Sequence, residues 1–176
     1  MRKIKFLGNK IPQEKDIVLI ISTTAFFIYS WSIIGFLWKL PSWIIFLSIE
    51  DIISIAAYIF TTNMFETLFI LLIILTLNVV LPSKFFLKRF AARGNAFVIS
   101  LTIWAAIIHY SIAEELFTND RLIFTVGVIS LFSTILFVYL AGRISRLEQA
   151  LVSLSNRFSA FLYLWIPLSV IGFVLV

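Results

Sequence analysis

The basic residues of this chain fall into three clusters, and the apolar segments between them fit a membrane in one way. Twelve of the fourteen lysines and arginines belong to the clusters, and only Lys39 and Arg121 lie elsewhere. Basic residues near the ends of membrane spans stay on the cytoplasmic side, so their distribution indicates the topology of the chain. The clusters are Arg2, Lys3, Lys5, Lys10 and Lys15; then Lys84, Lys88, Arg89 and Arg93; then Arg143, Arg146 and Arg157.

Composition places most of the chain in lipid. Of its 176 residues, 61% are hydrophobic and 13% are charged, whereas a soluble domain has about 25% charged residues. So few charges cannot cover a water-exposed surface, and residues 1–176 are predicted to form one all-α integral membrane domain. The net charge of +5 is typical of a basic cytoplasmic face and does not indicate nucleic-acid binding. The expected location is a bacterial or archaeal cytoplasmic membrane, or an organelle inner membrane.

Six apolar segments are visible, and the charges decide how many of them cross. With six spans and a cytoplasmic N-terminus, six basic residues would lie inside and eight outside, which contradicts the orientation rule. If the segment 42–60 does not cross, twelve lie inside and two outside. The sequence therefore predicts five spans with the N-terminus inside and the C-terminus outside. They cover residues 17–38, 64–82, 95–112, 122–142 and 158–176.

The acidic residues support the same orientation independently. With five spans, only Glu14, Asp16 and Glu148 lie on the inner side. The other acidic residues all fall on the outer side, away from the basic clusters on the inner side. They are Glu50, Asp51, Glu66, Glu114, Glu115 and Asp120.

The segment 42–60 is predicted to be an amphipathic helix on the outer side, either interfacial or re-entrant. It follows Pro41, which a helix tolerates in its first turn, and its polar residues share one helical face. Carrying the adjacent carboxylates of Glu50 and Asp51 to the bilayer centre would cost roughly 2.5–3.5 kcal/mol each. This energetic cost and the charge count both argue against a sixth span.

Glu50, Asp51 and His109 are the candidates for an ion or proton site. Ionisable groups at membrane depth usually face a bundle interior or a water path, and histidine titrates near neutral pH. Each candidate also has a plainer interpretation. The two carboxylates would be solvated on the outer face, and His109 would be an interfacial residue among aromatic ones. His109 and Glu114 are five residues apart, so they lie on different helix faces.

The second basic cluster is a candidate contact for anionic lipid or an acidic partner. Lys84, Lys88, Arg89 and Arg93 would each contribute about 1 kcal/mol near an anionic surface. The link that carries them is predicted to be helical and to end at Gly94. Small and polar residues inside spans allow membrane helices to approach closely and to hydrogen-bond. The candidates for such helix packing are Asn78, Ser130, Thr134 and Gly172.

No motif identifies a catalytic or cofactor site. The chain has no Cys and one His, and no nucleotide, haem, iron–sulfur or zinc signature is present. Three functions remain, in order of preference. The first is a non-catalytic membrane subunit or anchor with protein partners in the bilayer. The second is a small transporter or channel component that uses Glu50 and Asp51 at an outer vestibule. The third is a membrane enzyme acting on lipid-linked substrates.

Overall fold

Five long helices make up the described part of the chain. The computed structural model describes residues 12–82, 87–113 and 120–176. Each helix is long and apolar enough to cross a membrane, which confirms the prediction of an all-α membrane protein with five candidate spans. The helices are α1 (Glu14–Phe46), α2 (Ile49–Val80), α3 (Phe90–Ala113), α4 (Asp120–Ala141) and α5 (Ser145–Leu175), with a 3₁₀ turn at Leu87–Arg89 before α3.

The structure contains no separate helix over residues 42–60. The first part of this segment continues α1 to Phe46, and α2 begins at Ile49, so the chain reverses direction between them. Pro41, which was expected near a helix start, lies inside α1. The segment therefore forms the tip of a helical hairpin instead of an independent amphipathic helix.

A capping box at the hairpin reversal explains why α2 begins where it does. The Asp51 backbone N–H donates to the Ser48 hydroxyl at 3.2 Å, and the Ser48 backbone N–H donates to the Asp51 carboxylate at 3.1 Å. The two bonds satisfy backbone groups that a helix start would otherwise leave unpaired. The polar residues that suggested an amphipathic helix thus include the cap of α2.

The helices differ in length, and the α1–α2 hairpin extends beyond α3. Helices α1, α2 and α5 have 33, 32 and 31 residues, whereas α3 and α4 have 24 and 22. The rings of Trp31 and His109 meet at 5.3 Å, which sets the register of α1 against α3. Beyond that contact α1 continues for fifteen residues and α3 for four, so the hairpin extends about 16 Å farther. We call this part, residues 36–59, the hairpin tip.

Helix α1 is the most buried span, and α4 is the most peripheral. In the most apolar stretch of each helix, 39% of α1 but 11% of α4 is buried. Helix α1 contacts α2, α3 and α5, and α2 also packs extensively against α5. Helix α4 lies mainly against α3. The bundle therefore consists of an α1–α2–α5 unit with an α3–α4 pair attached through α3.

Two glycines lie where helices approach closely. A Cβ at Gly172 of α5 would lie 2.8 Å from the backbone carbonyl oxygen of Ala57 in α2. A Cβ at Gly94 would overlap the side chain of Ile20 in α1. The prediction that a helix ends at Gly94 is wrong, because α3 runs from Phe90 through this position. Gly94 serves close packing against α1 and does not terminate a helix.

Candidate functional site

Glu50 and Asp51 lie at the start of α2, on the hairpin tip, where both side chains are exposed. The Ser48 hydroxyl donates to the Asp51 carboxylate at 2.7 Å, in addition to the capping bonds already described. A carboxylate in the first turn of a helix also interacts favourably with the helix dipole. Asp51 therefore has a defined structural role at this position.

His109 lies far from these two carboxylates. Its ring meets Trp31 edge-to-face, and the side chain is exposed on α3. The neighbouring Ser32 donates to the side-chain oxygen of Asn63 at 2.8 Å, which places this level of α1 beside Asn63 of α2. Asp51 is twelve residues before Asn63, or about 18 Å along the helix. The structure does not bring Glu50, Asp51 and His109 into one site.

Hydrogen bonds between polar side chains join the helices inside the bundle. Three of them connect α1 with its neighbours, and two connect α3 with α4. Such bonds between membrane helices contribute about 0.6 kcal/mol on average. The pairs are Thr23–Ser155 (2.8 Å), Tyr29–Ser169 (2.5 Å), Ser32–Asn63 (2.8 Å), Ser100–Thr134 (2.8 Å) and Trp104–Ser133 (2.8 Å).

The four candidates for helix packing have different environments. Asn78 is buried in α2, and Gly172 is buried at its close approach to α2. Thr134 is buried and bonds to Ser100 across the α3–α4 contact. Ser130 donates to the carbonyl of Gly127 within its own helix, at 2.8 Å. Ser130 nevertheless lines the groove between α3 and α4.

The basic residues at the start of α3 are mostly directed into the bundle. Arg89 pairs with Glu148 of α5 at 3.1 Å, and Arg93 is only 8% exposed, with its guanidinium packed closely against Gly142. Arg89 and Glu148 are each about one-third exposed, so their ion pair contributes at most about 1 kcal/mol. Lys88 is exposed, and Lys84 lies outside the described residues. Two of the four predicted lipid contacts thus have intramolecular surroundings.

An exposed carboxylate lies in the middle of α2. Glu66 is the eighteenth of the 32 residues of this helix, and its side chain is exposed. Asn63, three residues earlier in α2, accepts a hydrogen bond from Ser32 of α1, and the adjacent Trp31 contacts His109 of α3. Glu66 does not stand out in the sequence, because the predicted span begins only at residue 64. Because α2 begins earlier than the predicted span, Glu66 lies near the centre of the helix and not at the end of a span.

The first half of α5 presents a polar face. The predicted spans do not include this half of the helix. The predicted fifth span begins at residue 158, whereas α5 begins at Ser145. An open groove runs along the polar part of this helix, which we call the α5 groove. Its described lining residues are Glu148, Gln149, Val152, Ser153, Asn156 and Arg157.

Comparisons with known proteins do not indicate a function for this chain. No protein-family model matches the chain, and neither a curated protein nor a solved structure matches it. Among the residues that the structure describes, no group of three or more His, Cys, Asp or Glu side chains could hold a metal ion. The features that remain are Glu66 on α2, the apolar hairpin tip and the α5 groove.

Proposed function

We propose that this chain is a non-catalytic integral membrane subunit, or anchor, of a larger membrane complex. We place its N-terminus on the cytoplasmic side and its C-terminus outside, as the basic clusters indicate. The observation that carries the proposal is the exposed carboxylate of Glu66 in the middle of α2. A membrane helix that presents an acid outward is stabilised by a partner that pairs with it, and a second membrane protein supplies one.

The depth of Glu66 follows from the shorter helices. Helix α4 has 22 residues, about 33 Å, so it needs almost its full length to cross a hydrocarbon core of about 30 Å. Helix α3 is similar in length, and its end therefore lies close to the outer boundary. His109 is four residues, about 6 Å, before that end, and Glu66 lies about two residues, roughly 3 Å, deeper than His109. Glu66 is thus roughly 6–9 Å inside the hydrocarbon.

The chemistry of the partner follows from this position. An acidic side chain facing lipid is unfavourable by up to about 2.5–3.5 kcal/mol at the bilayer centre, and somewhat less nearer the interface. A lysine or arginine in a partner's membrane span would neutralise the charge at that depth. Phe69 and Ile73 follow Glu66 on the same face of α2, and they are 63% and 37% exposed. They offer an apolar surface on which such a helix can pack.

The hairpin tip provides a second surface on the same helix. Apolar side chains there are highly exposed, with Trp38 at 82%, Phe46 at 80% and Ile49 at 76%. Exposed apolar patches beyond the lipid-covered part of a protein mark contacts with other molecules. Because α2 contributes both Glu66 and half of the tip, one partner packed along α2 would cover both.

The decisive experiment compares two glutamates on the same helix. The tagged chain carrying Glu66→Gln or Glu50→Gln is extracted from its native membrane in lipid nanodiscs, and co-purifying chains are quantified by mass spectrometry. We expect Glu66→Gln to reduce the partner at least tenfold, equivalent to about 1.4 kcal/mol. Glu50→Gln, exposed at the helix start, should leave the amount unchanged.

A photo-crosslinking residue locates the contact. Placed at Phe69, beside Glu66, it should give a crosslink to the same partner. Placed at Phe132 of α4, which is 69% exposed, it should give lipid adducts only. Equal recovery of the partner with Glu66→Gln, together with no crosslink at Phe69, would overturn the proposal.

A further inference from the structure

A second exposed charge lies at membrane depth, on α5. The side chain of Arg157 is exposed. The hydrogen bond from Thr23 to Ser155 aligns α5 with α1, and Arg157 follows Ser155 by two residues, or about 3 Å. Thr23 in turn precedes Ser32 of α1 by nine residues, or about 13 Å. Arg157 therefore lies about 10 Å deeper in the membrane than Ser32.

Glu66 lies at a similar depth on α2. Ser32 donates to Asn63, and α2 runs opposite to α1, so Glu66 is three residues, about 4.5 Å, deeper than Ser32. Measured from the same level of α1, Arg157 is about 6 Å deeper than Glu66. The two opposite charges are thus separated in depth by about one helical turn.

The close approach of α5 to α2 gives a second, independent register. A Cβ at Gly172 would touch the backbone oxygen of Ala57, so these two residues lie at one level. Glu66 is nine residues from Ala57 and Arg157 is fifteen from Gly172, both in the inward direction, which makes Arg157 about 9 Å deeper than Glu66. With Glu66 roughly 6–9 Å inside the hydrocarbon, Arg157 is roughly 12–18 Å inside, close to the centre of a core of about 30 Å.

Glu66 and Arg157 do not pair with each other within one copy. The ion pair found among the described residues joins Arg89 with Glu148. An exposed charge at this depth is unfavourable, and intramembrane acids and bases commonly pair with one another. Among the basic residues whose side chains the structure describes, Arg157 is the nearest to Glu66 in depth. Lys39 comes next, about 15 Å away in the outward direction.

A second copy of the chain presents Arg157 at a depth that Glu66 can reach. Copies inserted in one orientation are related by rotation about the membrane normal, so each residue has the same depth in every copy. An offset of about 6 Å equals the rise between residues i and i+4 of a helix, over which acidic and basic side chains pair. The long apolar stem of arginine can lie along a helix surface and span a somewhat larger offset.

The apolar surfaces beside the two charges also correspond in depth. Phe69 lies three residues inward of Glu66 on the same face of α2, and Phe161 lies four residues outward of Arg157 on the same face of α5. Phe161 is 41% exposed. The registers place Phe161 within about 5 Å of the depth of Glu66, and Phe69 within about 5 Å of that of Arg157. Each charge of one copy therefore meets both the opposite charge and an aromatic ring of the other, and an aromatic face also attracts a guanidinium.

We propose that this chain associates with itself in the membrane through an ion pair between Glu66 of one copy and Arg157 of another. Helix α2 of one copy packs against α5 of the next. The contact rests on the proposed function, in which Glu66 meets a membrane partner, and it identifies that partner as a second copy of the chain. The same pair occurs twice in a two-fold dimer and once per interface in a closed ring.

The first test uses the purified full-length chain alone in phosphatidylcholine liposomes. The chain has no Cys, so Lys39→Cys on the hairpin tip provides a single position for a donor or an acceptor dye. Energy transfer between copies is measured against the ratio of protein to lipid. We expect Glu66→Gln and Arg157→Gln each to weaken association at least about tenfold. The control Arg146→Gln, also exposed on α5 but eleven residues earlier, should match the wild type.

Charge reversal tests the pair itself. Glu66→Arg leaves two cations at the contact and Arg157→Glu leaves two carboxylates, so neither variant should associate with itself. An equimolar mixture of the two variants brings opposite charges together at both positions and should recover the association of the wild type. Circular dichroism verifies that each variant is folded, and the two neutral Gln variants give a reading that needs no reversed charge in the membrane.

The outcomes separate this contact from the wider proposal. Unchanged energy transfer with Arg157→Gln, or no recovery in the mixture of folded variants, would rule out the ion pair. A monomeric wild type, together with loss of a different co-purifying protein from native membranes with Glu66→Gln, would rule out self-association and leave the subunit proposal in place. Self-association that requires both charges, with no other chain recovered from native membranes, would support the ion pair and contradict a role beside a different protein.

Discussion

Helices α1 and α4 are both apolar enough to cross a membrane, yet they occupy different positions in the bundle. Helix α1 is the most buried span and α4 the least, at 39% and 11% of their most apolar stretches. Three consecutive hydroxyl residues, Ser22, Thr23 and Thr24, are buried in α1. The comparison teaches that apolar content does not decide which helix is central. In α1 the small and hydroxyl side chains allow its three neighbours to approach closely, and Thr23 also bonds across a helix contact.

The largest expected effect compares a glycine of the α1–α2–α5 unit with a glycine of α4. Gly172→Ala should destabilise the bundle by about 1–3 kcal/mol, because its Cβ would press on the backbone oxygen of Ala57, which cannot move aside. Gly127→Ala in α4 has nothing within 4 Å of the new Cβ and should be neutral or slightly stabilising. Thermal unfolding in detergent measures both. Equal effects would mean that α4 is packed as tightly as α5.

A smaller effect distinguishes the two carboxylates of the hairpin tip. Asp51→Ala should cost about 0.5–2 kcal/mol of local stability, because it removes the acceptor of the capping box. Glu50→Gln should cost almost nothing. Hydrogen exchange of the first turn of α2 reports the difference. Loss of ion or proton flux in liposomes with either variant, while the fold is retained, would instead favour the transporter interpretation.

The smallest expected effect compares hydroxyl groups in the two regions. Thr23→Val removes the bond to Ser155 with little change in shape and should cost about 0.6 kcal/mol. Ser130→Ala in α4 removes only a bond to its own helix and should be within error of zero. Unfolding by denaturant in mixed micelles can resolve the two. If Ser130→Ala costs as much as Thr23→Val, hydroxyl bonds between helices do not distinguish the regions.

Several features of the fold were predictable because they depend on local chemistry. A run of about 20 apolar side chains favours lipid largely independently of its neighbours, so the five candidate spans could be recognised from the sequence. The boundaries were less predictable. Residues 42–46 were separated from the first span by Pro41, yet α1 continues through this proline. Proline is tolerated within membrane helices, so it is a weak boundary signal there.

The candidate sites were predictable only as residue types. Arg93 belongs to a conspicuous basic cluster, but its burial against Gly142 depends on the α4–α5 turn coming close to α3. Glu66 looks like an outer-face acid until the length of α2 is known. Arg157 looks like a topology signal until the start of α5 places it above the end of the bundle. In each case the deciding quantity is the length of a helix or its register against its neighbours.

The sequence by itself determined the solvent of this protein, the number of candidate spans and, through the basic clusters, an expected orientation. These properties follow from the transfer of side chains between water and lipid, which each segment undergoes almost independently. The tertiary structure decided which helix is central, how far the hairpin extends and beside which residues of the neighbouring helices each polar side chain lies. Those properties depend on contacts between distant segments, such as Thr23 with Ser155 and Gly172 with Ala57. Hydropathy and charge are sums along the chain and contain no information about such pairings.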